Sequence, residues 1–159
     1  MTKRMLIHGL EGSSQGHKAT HIKGLVESLV VPDFDGDLYA RLDKMATLMG
    51  DEKQAWILVG SSLGGLMAAI WTCQNPERVR KLILLAPALH RPDFDHLLDL
   101  RIPVPTTLVH GTKDRVVPLD PVYERARRVF INLQFHVVED DHRLRVTTEM
   151  LDWKRLLEV

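Results

Sequence analysis

Gly60-Ser61-Ser62-Leu63-Gly64 lies between two kinds of apolar pattern. Before it, Ala55-Trp56-Ile57-Leu58-Val59 is a continuous apolar run that reads as a buried strand. After it, Leu63, Leu66, Met67, Ile70 and Trp71 recur at helical spacing. A strand, a tight turn and a helix are the setting in which G-x-S-x-G carries chemistry. Such a turn strains its central residue and lifts that side chain above the sheet, while the flanking glycines leave room for strand and helix to approach. Ser62 is therefore the candidate nucleophile. Leu63 begins the helix, with its backbone N–H directed where a developing oxyanion would lie. Ser61 falls on the strand side of the turn.

The rest of the chain repeats this alternation. Met5-Leu6-Ile7 is a first strand ending in His8-Gly9, followed by a polar, Gly-rich loop to Gly16. Ile22, Leu25, Val26 and Leu29 mark a helix face, and Leu29 to Pro32 a second strand or its end. Leu38, Leu42, Met45 and Met49 give another helix, closed by Gly50. Asn75-Pro76 ends the helix after Ser62, because proline has no N–H with which to continue it. Lys81 to Ala86 is the fourth strand, stopped by Pro87, and residues 88–103 form a Pro-interrupted excursion with one or two helical turns. Val104 to His110 is the fifth strand. Asp120-Pro121 predicts a helix N-cap and first position, with Val122, Ala126 and Val129 facing inward. Leu133 to Val138 is the sixth strand. Val146, Met150, Trp153 and Leu157 predict the inner stripe of one closing helix.

Six strands alternating with helices predict an α/β fold: a doubly wound, mostly parallel six-stranded sheet with helices on both faces. No linker, repeat or low-complexity segment divides the chain, so residues 1–159 are expected to form one domain. Ligand sites in such sheets lie beyond the carboxyl ends of the strands.

A serine needs a base, and the base needs an orienting acid. Asp114 lies just past the fifth strand, in Gly111-Thr112-Lys113-Asp114, and His142 lies past the sixth, in Glu139-Asp140-Asp141-His142. Both fall on the rim where Ser62 emerges, in the chain order Ser…Asp…His. Among the other histidines, His8 braces the loop after the first strand, His110 packs inward or bonds backbone, and His136 lies within the sixth strand. His17, His21, His90 and His96 sit in helical or polar stretches. Asp140 and Asp141 are too near His142 in sequence to reach its far nitrogen. Ser13 and Ser14 are assigned to turn bonds or substrate contact. Arg125, Arg127 and Arg128 read as a solvated helix face.

In His8-Gly9, the Gly60–Gly64 turn, Gly111-Thr112-Lys113-Asp114 and His142, taken in order, the chain resembles a small, lidless α/β-hydrolase. The loop His8-Gly9-Leu10-Glu11-Gly12-Ser13-Ser14, with Lys18-Ala19 after it, is also similar to short bacterial esterases of the YqiA type. The resemblance implies a minimal fold without a lid domain and assigns a second oxyanion-hole N–H to Leu10. It implies a serine hydrolase of small carboxylic esters or thioesters, with a small-molecule acyl substrate. Acyl transfer and peptide cleavage remain open, and the rival reading from another class is a catalytically silent binding or scaffold protein on the same fold. The usual first two strands are lacking, and His142 follows acidic residues where glycine is more usual.

Composition sets bounds. A net charge of zero gives no electrostatic footprint for nucleic acid or an anionic membrane surface. No apolar run is long enough to span a bilayer, and Met1-Thr2-Lys3-Arg4 precedes too short an apolar stretch for a signal peptide. The single cysteine, Cys73, forms no internal disulfide, which favours a cytoplasmic protein. Neither H-E-x-x-H nor G-x-G-x-x-G is present where it would count, so no metal and no dinucleotide cofactor is expected.

Overall fold

The computed structural model describes residues 1–51 and 53–159. Its six strands, β1 (Lys3–Ile7), β2 (Leu29–Val30), β3 (Trp56–Ser61), β4 (Val79–Leu85), β5 (Thr106–Gly111) and β6 (Leu133–Val138), form one sheet in the order β2-β1-β3-β4-β5-β6. Every pairing is parallel. The expected alternation is thus present, and the sheet is parallel throughout. From β1 the chain moves outward to β2 and then returns across β1 to β3. This reversal opens a crevice at the carboxyl ends of β1 and β3.

Alternate residues of each strand face opposite layers. Met5, Ile7, Leu58, Leu82, Leu84 and Leu108 pack against α2 (Leu38–Met49), α3 (Leu63–Gln74) and α4 (Leu119–Val129). Leu6, Ile57, Val59, Ile83, Leu85 and Val109 pack against α1 (His17–Leu25), Trp153 and Leu157. The sequence marked one apolar face of α3, but Leu63 through Cys73 are all buried. The helix is sealed beneath its neighbours, which is why its sequence is apolar nearly all round.

Glycines set the approach of α3 to the sheet. A Cβ on Gly60 would lie 2.7 Å from Gly65 Cα, and one on Gly64 would lie 2.6 Å from the Ile7 carbonyl carbon. Both obstacles are backbone, which cannot swing aside.

Several boundaries differ from expectation. The N-cap of α4 is Pro118, and Asp120 lies inside the helix; the proline's extended backbone (φ −69°, ψ 131°) makes the entry. The single closing helix is instead two short ones, α5 (Arg145–Met150) and α6 (Trp153–Leu156). Leu151 turns extended, and Asp152 caps α6 by accepting the Arg155 N–H at 3.1 Å. Trp153 and Leu157 are buried as read, but Val146 and Met150 are exposed, because Thr148 takes the inward position of α5. In α1, Ala19 and Ile22 face inward and Leu25 is exposed.

The glycine geometry makes a paired prediction. Gly64→Ala lowers stability by about 2 kcal/mol or more, since the added methyl overlaps β1 backbone. Gly24→Ala, where nothing lies within 4 Å of the added Cβ, raises stability by about 0.5–1 kcal/mol. Urea unfolding of both variants measures this; equal effects would remove the packing argument.

Candidate active site

Ser62 follows β3 directly and precedes α3, with φ 55° and ψ −115°. A positive φ in a serine is a strained conformation, of the kind that costs about 1–3 kcal/mol and persists only where its surroundings enforce it. Here the Ser62 N–H donates to Leu85 O and the Ala88 N–H donates to Ser62 O, both at 3.0 Å. The residue is fastened to the end of β4 on both sides of its Cα.

Two loops bring partners to it. β5 and β6 stay in register to their last residues, Gly111 opposite Val138. The Thr112 N–H then donates to Val138 O at 2.8 Å, and the Lys113 N–H to Asp140 O at 3.0 Å. A Cβ on Gly111 would collide with the Asp140 backbone. The loops carrying Asp114 and His142 are therefore spliced before either side chain is reached.

The structure brings the three sequence-predicted side chains together. His142 Nδ1 lies 2.7 Å from Asp114 Oδ2, and His142 Nε2 lies 3.0 Å from Ser62 Oγ. A carboxylate only accepts, so the imidazole proton facing it sits on Nδ1. Nε2 is left to accept the Ser62 hydroxyl. The order hydroxyl, imidazole, carboxylate can draw a proton from Ser62 Oγ as it attacks an electrophile, and can stabilise the imidazolium that results.

Asp114 has no exposed side-chain surface. Its Oδ1 accepts the N–H groups of Val116 at 2.9 Å and Val117 at 2.8 Å. Burial pushes this carboxyl up, but the Val117 N–H, the His142 imidazole and the Val116 N–H outweigh it and hold the group below its ordinary 3.8.

Leu63 and Leu10 have separate supports. Leu63 is the first residue of α3, where a helix leaves its N–H groups without intrahelical acceptors. Leu10 lies on the exposed loop after β1, next to Gly9, whose added Cβ would stand 3.1 Å from Ser62 Cβ. His8 braces this loop, as read: its Nδ1–H donates to Gly9 O at 2.7 Å and its Nε2 accepts the Phe34 N–H at 2.8 Å. Ser14 donates through both N–H and Oγ to Asp33, at 2.7 and 2.8 Å, and Ser13 Oγ accepts the Gln15 N–H at 3.1 Å. Ser13 is thus in a turn bond, as read, whereas Ser14 ties its loop to the segment after β2.

Other residues have roles that sequence did not reveal. Lys18 Nζ donates to the carbonyl of Arg143, the residue after His142. Burial holds this ammonium below its usual value despite Asp140 and Asp141 nearby. Asp140 Oδ2 accepts from Thr147 N–H and Oγ, and Asp141 Oδ1 accepts the Arg143 N–H, so both carboxylates shape the His142 loop. Arg125 is not on a solvated face: it reaches Asp95 Oδ1 at 2.6 Å and the carbonyls of Leu89 and Arg91 at 3.3 Å. Arg127 pairs with Glu124 and Arg128 with Asp99 on the surface. His17 lies 3.4 Å from Glu149 and stacks on His21, so these two pack at α1. Cys73 is buried, which pushes its thiol up to about 12 and leaves it inert.

No helix among the described residues is long and apolar enough to cross a membrane. Among those residues no group of three or more His, Cys, Asp or Glu is arranged to hold a metal ion. A groove of ≈ 640 Å³ lies away from Ser62, between α2, the end of α3 and the 88–103 segment.

A model of the alpha/beta hydrolase fold matches residues 12–106. Over 65 residues, 38% of this chain, the sequence is 42% identical to a homoserine O-acetyltransferase of Thermus thermophilus; the match spans only 17% of that enzyme. The structure superposes on alpha/beta hydrolase domain-containing protein 10 from mouse with a TM-score of 0.83 at 21% identity, covering 97% of this chain and 87% of the other. A Xanthomonas campestris protein assigned to the alpha/beta hydrolase superfamily gives 0.77 at 25% identity, over 98% and 95% of the two chains.

The Asp114 environment has a pH signature. A carboxylate held below its unfolded value stabilises the native state fully above that value and ceases to do so as the pH falls through the native one. Between about pH 5 and 3 the melting temperature of the parent protein therefore drops more steeply than that of Asp114→Asn. Parallel slopes in thermal scans would show that Asp114 is not held as described.

Proposed function

This chain belongs to the alpha/beta-hydrolase family, and from that membership we propose that it is a serine hydrolase cleaving small carboxylic esters or thioesters through an acyl-enzyme on Ser62. The observation that carries the reading is the continuous hydrogen-bonded path Ser62–His142–Asp114, at 3.0 and 2.7 Å, ending on a serine with positive φ. Ser62 Oγ attacks the acyl carbon while its proton passes to His142 Nε2. Asp114 holds the proton on Nδ1 and offsets the imidazolium charge. The N–H groups of Leu10 and Leu63 receive the oxyanion. His142 then returns the proton to the departing alkoxide or thiolate, and water, deprotonated by the same imidazole, releases the acid. These steps use only the chain's own groups and water. The 42% identity to an acetyltransferase segment favours a second reading, in which an alcohol takes the acyl group in place of water.

Ser62→Ala and His142→Ala each lower kcat by about 10⁴- to 10⁶-fold while folding normally, because the two act as a unit. Fluorophosphonate treatment followed by mass spectrometry places the adduct on Ser62. An adduct on Ser61 or Ser13, or a fully active alanine variant, contradicts the assignment, and a parent protein that neither labels nor turns over esters is a silent scaffold. Product analysis with an added primary alcohol separates hydrolysis from transfer.

Substrate length follows from the segment after β4. Residues 88–103 fold as a 3₁₀ helix at Pro92–Leu97, with Leu89, Phe94 and Leu97 buried in the core. Arg125 fastens the segment through Asp95. It is a docked strap of sixteen residues, and in this reading it is too short to form a closed apolar roof over Ser62. Each added methylene contributes about 0.8 kcal/mol only where a wall removes it from water. The value of kcat/KM accordingly rises to about four acyl carbons and then levels, without activation at a lipid–water interface. A p-nitrophenyl ester series checks this; a steady climb to twelve-carbon chains would overturn it.

A further inference from the structure

His110 is the last but one residue of β5, and its side chain has no exposed surface. Its Nε2 lies 2.9 Å from Val117 O and 3.4 Å from Asp114 Oδ2. A carbonyl only accepts, so the ring proton is on Nε2. Nδ1 is then a buried acceptor, and it has no hydrogen-bond partner. Leaving such an atom unpaired carries a desolvation cost that an apolar side chain at this buried site would not. The useful atom is therefore Nε2.

That atom acts on the peptide that holds the acid. The Val117 carbonyl receives His110 Nε2–H, while the Val117 N–H donates to Asp114 Oδ1 at 2.8 Å. One residue of the 114–118 turn is thus gripped by the strand below and grips the carboxylate in turn. Without the lower grip, the Val117 carbonyl would face a buried, apolar site, and the turn would have to rotate to find another donor. Val117 itself is buried, so no water competes for it at the surface. Around Asp114 stand His142, His110 and, within electrostatic reach of both Asp114 and His110, His90.

We infer that His110 is a positioning residue: through the Val117 peptide it aims the Asp114 carboxylate at His142. The inference rests on the proposed Ser62–His142–Asp114 reaction for its effect on rate, but not for its effect on Asp114.

Three substitutions separate this role from simple packing. Gln places its amide nitrogen the same number of bonds from Cα as histidine Nε2, whereas Asn places it at the position of Nδ1. Leu fills the space and donates nothing. His110→Leu and His110→Asn lower kcat by about 10- to 100-fold, as misplaced catalytic groups do, with KM within about twofold. His110→Gln keeps kcat within about threefold of the parent. Rates are referred to fluorophosphonate-reactive sites, so that misfolded protein is not counted. In the same variants, the ¹³C carboxyl resonance of Asp114 reports its titration: the midpoint rises toward the ordinary 3.8 in Leu and Asn and stays depressed in Gln. If Leu leaves both kcat per site and the Asp114 midpoint unchanged, or if Asn restores them as well as Gln, His110 is only packing. A parent protein that turns over no ester removes the hydrolase reading, and the Asp114 midpoint then still decides the positioning role.

Discussion

The contact between the first turn of α3 and the carboxyl ends of β1 and β3 is the constraint on which the other features depend. Backbone meets backbone there: Gly64 lies against the carbonyls of Ile7 and His8, and Gly60 against Gly65. At such a distance the chain between β3 and α3 has no space for a relaxed turn. Ser62 takes φ 55° as a result, and the strain is held by the burial of nearly all of α3 beneath its neighbours. The same contact brings the loop after β1 beside Ser62, so one packing event sets both the strained serine and the Leu10 side of the cleft.

A second level of order comes from loops that are fixed to each other before they reach the serine. The continued register of β5 and β6, and the Thr112 and Lys113 bonds beyond it, make the Asp114 and His142 loops one body. Lys18 attaches that body to α1 through the Arg143 carbonyl. Asp140 and Asp141, which add negative charge beside His142, have their carboxylates occupied by backbone and hydroxyl donors. This leaves Asp114 as the carboxylate that meets the imidazole, buried yet ionised because its N–H donors compensate for lost water.

The strap at 88–103 completes the cleft by what it buries. Its apolar residues are in the core and its acidic residues meet Arg91, Arg125 and Arg128. An arginine that sequence placed on a solvated face is thus an anchor, because a guanidinium can cover apolar surface with its stem and bond carbonyls with its head.

Local sequence pattern was enough to read the architecture and to single out Ser62, Asp114 and His142, whose side chains the fold brings within hydrogen-bond distance. Buried parallel strands are short apolar runs, and the turn at Ser62 needs glycines where backbones touch. Strand ends locate Asp114 and His142, since the first follows β5 and the second β6 by a few residues. These are local signals, written in neighbouring positions. What depended on tertiary structure lay between distant residues. The closing segment broke into α5 and α6 because Asp152 caps α6 and Thr148 faces inward, which apolar periodicity alone could not distinguish from one helix. Arg125, Lys18 and the grip of His110 on Val117 were invisible for the same reason: a buried polar side chain is defined by the one atom that satisfies it, and only folding places that atom within hydrogen-bond distance.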